Sequence, residues 1–267
     1  MIKKDNIIVF DIETRNTFSD VGARAHGGLR LSIMVAYLYK DNSYRVYDEG
    51  NIKEFISLLK EAHLIVGFNI KGFDLPVLQK YSKESLQNLP LLDIMYEVMY
   101  SCGKRFKLDY LAEGTLGTKK TADGLMAVEF FRDGRLDELI EYCRQDVKLT
   151  KDLYEYGNTH GHLICKKYGT LEKITVYWHK RHDIKEKLKE AFALKRKVEI
   201  VYKSYKQSKS LKRVIDVYSI ESEKLIAFCD YKKSLRTFNI NKIESIKICD
   251  TIYNIKEGLL LKEEKQT

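Results

Sequence analysis

A continuous apolar run that ends in two carboxylates occupies residues 6–13, which read Asn-Ile-Ile-Val-Phe-Asp-Ile-Glu. A run of this kind is typical of a strand buried on both faces. Side chains two positions apart on a strand point to the same face, so Asp11 and Glu13 can direct both carboxylates at one cation. The stretch therefore predicts a buried strand that carries a metal-binding pair at its carboxyl end.

Two further polar motifs follow along the chain. Asp74 comes after a second apolar run at residues 64–68 and opens a short helical stretch. Apolar residues recur at helical spacing from Leu136 to Tyr154, which predicts a long amphipathic helix over residues 136–156. Tyr142 and Asp146 are four positions apart on that helix, so their side chains project next to each other.

These motifs, at residues 11–14, 69–74 and 142–146, resemble in type and order those of the DEDDy branch of the DEDD 3′-to-5′ exonucleases. The chain is especially similar to exonuclease domains related to those of family-B DNA polymerases, from about Ile7 to about Tyr156. The resemblance implies two divalent cations, Mg²⁺ or Mn²⁺, held by Asp11, Glu13, Asp74 and Asp146. It also implies that Tyr142 orients the attacking water.

Composition and length fit a protein with more than one domain. The chain has 267 residues, of which 44% are hydrophobic, and this is enough for a sizeable core. No apolar stretch approaches the length of a membrane span, and residues 1–6 lack the apolar segment of a signal peptide. We therefore expect a cytoplasmic protein without a membrane partner.

Charge divides the chain into two unlike halves. Residues 1–160 hold 22 Lys and Arg against 24 Asp and Glu, whereas residues 161–267 hold 25 against 14. A basic half suits a polyanionic partner, and an acidic half suits cations. We predict an exonuclease domain at residues 1–160, a connecting segment at 161–182 and a β domain at 183–267.

The apolar patterns of the first domain predict a three-layer α/β fold, which the resemblance implies to be ribonuclease H-like. Beyond the first strand, strands are expected at 32–39, 44–47 and 64–68, and helices at 52–61, 73–79, 94–101 and 136–156. The connecting segment is predicted to hold a strand at Lys173–Trp178.

Residues 183–267 predict a small, mostly antiparallel β domain. A helix is expected at 185–194 and strands at 198–202, 212–218, 225–229, 235–239 and 243–248. The segments 199–202, 225–229 and 236–238 resemble the WYL domain, an Sm-like or SH3-like barrel of bacterial regulators and nucleic-acid enzymes. The Trp-Tyr-Leu tripeptide of that family is replaced here by Glu223-Lys224-Leu225.

Cations and aromatic side chains mark candidate contacts with a nucleic-acid strand. In the first domain the candidates are Asn69, Lys104 and Arg105. In the second domain they are Tyr202, Arg213, Arg236, Phe238 and Lys242, although Phe238 equally fits a barrel core.

The sequence thus favours a two-metal 3′-to-5′ exonuclease that releases nucleoside monophosphates from single-stranded ends, with a C-terminal nucleic-acid or ligand-binding module. DNA is favoured only because of the polymerase-type resemblance. One alternative is an exoribonuclease that trims RNA. The other is a non-enzymatic regulator in which a WYL-type domain senses a nucleotide.

Overall fold

The computed structural model describes residues 6–22, 26–118, 125–203, 210–221 and 224–254. Glu223, the first residue of the altered tripeptide, lies outside these ranges. The chain divides into two compact units, Met1–Val176 and Tyr177–Thr267. Within the described ranges, no helix is long and apolar enough to cross a membrane.

The first unit is built on a five-stranded mixed sheet with the apolar run of residues 6–13 at its centre. Its strands are β1 Ile7–Thr14, β2 Leu31–Leu38, β3 Ser43–Tyr47, β4 Leu64–Gly67 and β5 Leu91–Asp93. They lie in the order β3-β2-β1-β4-β5. β1, β4 and β5 are parallel, whereas β2 is antiparallel to both β1 and β3.

Seven helices are described in this unit: α1 Phe18–Val21, α2 Ile52–Glu61, α3 Asp74–Leu78, α4 Ile94–Cys102, α5 Leu108–Leu116, α6 Leu125–Arg132 and α7 Leu136–His160. Phe10 of β1 belongs to the core cluster that includes Phe55 of α2, and their ring centroids are 5.3 Å apart. α7 contacts β1, β2 and β4. The predicted ribonuclease H-like α/β fold is confirmed.

The alternation of side chains along β1 places the acidic pair opposite the main core. Ile8, Phe10 and Ile12 belong to the core cluster with α2. Successive side chains on a strand point to opposite faces, so Asp11 and Glu13 face the other way. The Cys143 thiol of α7 lies 3.7 Å from the Asp11 carboxylate, which identifies that face as the one covered by α7.

The region predicted to connect the domains contains a β-hairpin of the first unit. Its strands are β6 His162–Lys167 and β7 Thr170–Thr175, and β6 packs on α5. The strand predicted at Lys173–Trp178 is therefore wrong at its C-terminal end. Residues 173–178 are rich in β-forming side chains, but pairing in β7 stops at Thr175. The N–H of Val176 then donates to the Gly161 carbonyl, and a helix begins at Trp178.

Within its described residues, the second unit contains one α-helix and a five-stranded antiparallel sheet. The elements are α8 Trp178–Ala193, β8 Arg196–Tyr202, β9 Leu211–Glu221, β10 Lys224–Cys229, β11 Ser234–Asn239 and β12 Ile243–Ile252. The strands lie in the order β11-β10-β9-β8-β12, and α8 packs on β8, β9 and β12. All five predicted strands are present, whereas the helix begins seven residues before its predicted start at Lys185.

Candidate active site

The carboxyl end of β1 supplies the first acidic pair. β1 pairs with β4 only through Ile7–Val9, so Asp11 and Glu13 lie beyond the last parallel pair. Both are partly exposed, and the pairing with β2 shifts register directly after Glu13. Irregular pairing of this kind is common beside active sites because it redirects a side chain. The end of the strand thus presents two carboxylates to an open space.

Asp74 approaches the same place from the start of α3. Its carboxylate accepts a 3.1 Å hydrogen bond from the backbone N–H of Ile12, the residue between Asp11 and Glu13. The Asp74 residue is only 2% exposed. Burial raises the pKa of this carboxyl to about 8, opposed by hydrogen bonds from backbone N–H groups and reinforced by the nearby charge of Asp93. A buried acid next to two others is suited to a bound cation, which would compensate its charge.

α7 brings the third motif over β1. Asp146 and Tyr142 are 7% and 8% exposed, and both line the cavity that contains the β1 pair. The Tyr142 ring packs edge-on against Phe130 of α6, with centroids 6.4 Å apart. Cys143 lies between them in sequence and is fully buried against β1. Leu136, predicted to belong to the apolar stripe, is exposed at the start of the helix.

One cavity of about 630 Å³ is lined by all five residues of the three motifs: Asp11, Glu13, Asp74, Tyr142 and Asp146. Aromatic residues Phe18, Phe68, Phe73 and Phe106 form part of its wall. Arg105 and Lys107 lie at its lining and are exposed. The cavity therefore combines an acidic floor, aromatic walls and a basic rim.

The loop between β4 and α3 is held by a buried carboxylate. Asp93, at the N-terminus of α4, accepts hydrogen bonds from the backbone N–H groups of Asn69, Lys71, Met95 and Tyr96. Asn69 has a positive φ of 63°, a conformation that is uncommon outside glycine but tolerated by asparagine. Asp93 thus fixes the loop that leads into Asp74.

Gly72 permits the Asn69 side chain to fold over that loop. A Cβ atom at position 72 would lie 2.5 Å from the Asn69 carboxamide oxygen. The Gly72 carbonyl oxygen also accepts a 3.0 Å hydrogen bond from Nε2 of the His26 imidazole. Any larger residue at position 72 would displace Asn69, which itself lines the cavity.

The donor set fits a hard divalent cation. Ligand atoms of Asp11, Glu13 and Cys143 lie within 4.8 Å of one another. Burial raises the pKa of the Cys143 thiol well above its usual value, as do the neighbouring Asp11 and Glu13 carboxylates, and this disfavours the thiolate form that binds metals. The carboxylate oxygens suit Mg²⁺ or Mn²⁺ better than softer metals.

Of the strand-contact candidates in the first unit, two lie at the cavity and one does not. Asn69 and Arg105 line it, and the Arg105 guanidinium lies 5.4 Å from the centre of the Tyr96 ring. Lys104 instead forms a 3.2 Å ion pair with Glu172 of β7. Lys104 is thus engaged with the hairpin.

The candidates in the second unit are spread over several strands. Phe238 is 4% exposed and belongs to the core cluster, which favours the barrel-core alternative over a strand contact. Tyr202 packs edge-on against it and accepts a hydrogen bond from the Asn239 N–H. Phe238 is buried because it pairs across the strands with Leu225, and both side chains belong to the core cluster.

Charged candidates of the second unit remain near its surface. Arg236 is exposed on β11, and Lys242 is half-buried in a short 3₁₀ turn before β12. The Arg213 guanidinium lies 5.1 Å from the centre of the exposed Tyr231 ring, and the Lys232 ammonium lies 5.2 Å from it. Tyr231 was missed by the sequence pattern, although its position before two lysines was visible.

Family models match both units. A model of the RNase_H superfamily matches residues 8–158, and a model of the WYL domain matches residues 183–248. No curated protein shows significant similarity. Among solved structures, proteasome accessory factor B/C (PafBC) of Arthrobacter aurescens is 18% identical over 43% of this chain and 17% of that chain, with a TM-score of 0.26. The match covers a small part of that protein.

Proposed function

The chain belongs to the RNase_H superfamily through residues 8–158, and on that basis we propose that its first unit is a metal-dependent 3′-to-5′ exonuclease. Its substrate is the 3′ end of a single-stranded nucleic acid, with DNA preferred, and its products are nucleoside monophosphates. The observation that carries the proposal is the convergence of five side chains from β1, α3 and α7 on one cavity.

Asp11, Glu13, Asp74 and Asp146 would hold two Mg²⁺ or Mn²⁺ ions. When bound, such ions would activate a water for attack and stabilise the charge on the leaving 3′ oxygen. The Ile12 N–H donates to the Asp74 carboxylate and so fixes Asp74 against β1.

Tyr142 acts on the attacking water in this proposal. The Tyr142 ring packs against Phe130, and this contact fixes the position of the ring. The hydroxyl group orients the water by a hydrogen bond and is not required to take its proton. Orienting groups of this kind typically contribute roughly 10² to 10⁴-fold to the rate.

The wall and rim of the cavity suit the terminal nucleotide. Phe18 and Phe73 are half-buried, with ring centroids 6.0 Å apart, and offer aromatic faces to a base. Arg105 and Lys107 offer positive charge to the adjoining phosphates. Stacking on aromatic residues combined with cations is the usual way to bind a single strand with little sequence preference.

A gel assay of 3′-end degradation tests this proposal. Matched DNA and RNA oligonucleotides, labelled at the 5′ end, are incubated with Mg²⁺, Mn²⁺ or EDTA. We expect a ladder of shortened DNA with either metal and none with EDTA. Asp146→Asn should abolish the ladder, whereas Asp152→Asn, the same change on α7 beside Lys148, should not. A ladder only with RNA would favour the exoribonuclease.

The WYL match supports a second candidate, a non-enzymatic regulator in which the second unit senses a nucleotide. In that case the first unit is a scaffold, and no metal or oligonucleotide combination should yield shortened products. If the first unit is an exonuclease, the second unit serves as a nucleic-acid or ligand-binding module. Its candidate contacts are Tyr202, Arg213, Arg236 and Lys242. Hydrolysis that depends on Asp146 would exclude the scaffold.

A further inference from the structure

The β6–β7 hairpin is fixed rigidly to the nuclease unit. A Cβ atom on Gly114 of α5 would lie 2.3 Å from the Ile164 carbonyl oxygen, so the two backbones are in close contact. The Thr115 hydroxyl both donates to that carbonyl and accepts from the Ile164 N–H, each at 2.9 Å. The first strand of the hairpin is therefore held at a defined place relative to α5.

The loop of this hairpin contains a non-glycine residue in a left-handed backbone conformation, which bulky side chains disfavour. Lys167 pairs with Thr170, which leaves Tyr168 and Gly169 as the loop, and their φ angles are 49° and 78°. Two-residue loops with positive φ at both positions strongly prefer Asn-Gly. A bulky residue in the left-handed region costs stability, and such costs concentrate at functional positions. Tyr168 is also 88% exposed, so core packing does not account for it.

Tyr168 belongs to a small aromatic and cationic group. Its ring centroid is 6.4 Å from that of Tyr110 on α5. The Lys167 ammonium lies 5.6 Å from the Tyr110 centroid and 5.2 Å from the Tyr168 centroid. We name these residues, Tyr110, Lys167 and Tyr168, the hairpin tip. Two partly or fully exposed rings with a cation between them offer stacking surfaces and a phosphate contact.

The hairpin tip begins one residue beyond the lining of the cavity. Residues 105–109 line that cavity, and Tyr110 is the next residue along α5. A strand whose 3′ end lies in the cavity and which passes the basic rim at Arg105 and Lys107 would next meet Tyr110. The adjacency of this surface to a phosphodiester-cleaving site favours a nucleic acid over an acidic peptide as its occupant.

We propose that the hairpin tip binds the single strand upstream of the 3′ end, with bases stacked on Tyr168 and Tyr110 and a phosphate at Lys167. This inference rests on the proposed function, because it takes the cavity as the place of the 3′ end. The hairpin tip would then increase the affinity for strands that extend beyond the nucleotides inside the cavity.

Tyr168→Asn separates binding from folding. Asparagine is the residue that the loop prefers, so the variant should be at least as stable as the wild type in thermal unfolding. Loss of one stacking surface should weaken binding of a 5′-fluorescein oligothymidylate of about 20 nucleotides by about 5- to 100-fold. Binding is measured by fluorescence anisotropy with the full chain in EDTA. Tyr168→Phe keeps the ring and should bind like the wild type.

Lys167→Ala tests the phosphate contact. The slope of log K against log salt should become shallower by about 0.7 for a single strand. Lys53→Ala removes the same charge from an exposed position of α2 and should leave the slope unchanged. Equal slopes for the Lys167 and Lys53 variants would contradict the phosphate contact.

Hydrolysis of an oligothymidylate of about 4 nucleotides, measured in a separate reaction with Mg²⁺ or Mn²⁺, distinguishes the two proposals. Wild-type hydrolysis together with unchanged binding by Tyr168→Asn would overturn the hairpin tip and leave the exonuclease intact. Weaker binding by Tyr168→Asn without any wild-type hydrolysis would support the strand-binding surface and refute the exonuclease. A wild-type protein that does not bind the long strand would also overturn the hairpin tip.

Discussion

Replacing Tyr142 by phenylalanine isolates the chemical role of one hydroxyl group. The Tyr142 residue is 8% exposed and its ring packs edge-on against Phe130, with centroids 6.4 Å apart, and phenylalanine keeps this contact. We therefore expect a change in unfolding free energy of about 1 kcal/mol or less, within the usual net contribution of one hydrogen bond. For a chain of this size that shifts the thermal midpoint by about 2 to 4 °C at most.

The effect on catalysis should be much larger. Loss of a group that orients the attacking water lowers a rate by roughly 10² to 10⁴-fold, which corresponds to about 3 to 5 kcal/mol of barrier. Affinity for the strand should stay nearly constant, because the ring and the cavity wall are unchanged. The large kinetic effect and small stability effect together are the signature of a catalytic role.

Single-turnover kinetics with enzyme in excess over a 5′-labelled oligonucleotide measures the chemical step directly. Tyr156→Phe is the matched control, because Tyr156 is on the same helix, stacks on His160 with centroids 4.0 Å apart and is absent from the cavity lining. An unchanged single-turnover rate in Tyr142→Phe would reduce Tyr142 to a packing residue and refute the assignment.

Three further results are expected. Asp11→Asn should abolish cleavage at both Mg²⁺ and Mn²⁺ while circular dichroism shows a folded protein; near-normal activity would end the two-metal assignment. Burial raises the pKa of Asp74 to about 8, above its value in the unfolded chain. In EDTA, the free energy of unfolding of the wild type should therefore fall as the pH rises towards about 8. The midpoint of Asp74→Asn should then exceed that of the wild type increasingly with pH, and a constant difference would contradict this. Joint replacement of Arg213, Arg236 and Lys242 by Ala should weaken binding of a long single strand and make its salt slope shallower by up to about 2, about 0.7 per contact; an unchanged slope would make a small ligand or a protein the likelier target of the second unit.

The acidic site was predictable because its signals are local. The alternation along β1 assigns Asp11 and Glu13 to one face, and helical spacing puts Tyr142 beside Asp146, so neither inference needs tertiary information. The hydrogen bond from Ile12 to Asp74 spans 62 positions of sequence and could not be read from any periodicity. Its consequence, a buried third carboxylate, emerges only in the folded chain.

The surroundings of two candidate strand contacts depend on distant partners. Phe238 fitted either a stacking surface or a barrel core, and its cross-strand neighbour Leu225 assigns it to the core face. Lys104 pairs with Glu172 in a hairpin whose first strand the pattern did not predict. Both cases follow from long-range pairing, which local propensity does not specify.

In the connecting region, composition alone does not predict where the strand ends and the helix begins. Residues 174–178 are all β-branched or aromatic, which favours a strand across the whole run. The hairpin ends at Thr175, and Trp178 is buried at the start of α8. Ile184, Leu188 and Ala191 then follow at helical spacing and pack on the second sheet. Tertiary packing thus places the boundary inside a segment whose residues all favour a strand.

Product analysis tests the central claim most directly. A single-stranded DNA carrying a label at its 3′-terminal nucleotide is incubated with Mn²⁺ and either the wild type or Asp146→Asn, and the released products are identified by mass spectrometry. Hydrolysis at the cavity predicts labelled nucleoside 5′-monophosphate as the first product of the wild type and no release by the variant. Release of longer fragments, release from the 5′ end or equal release by both proteins would contradict a 3′-to-5′ exonuclease site built on these carboxylates.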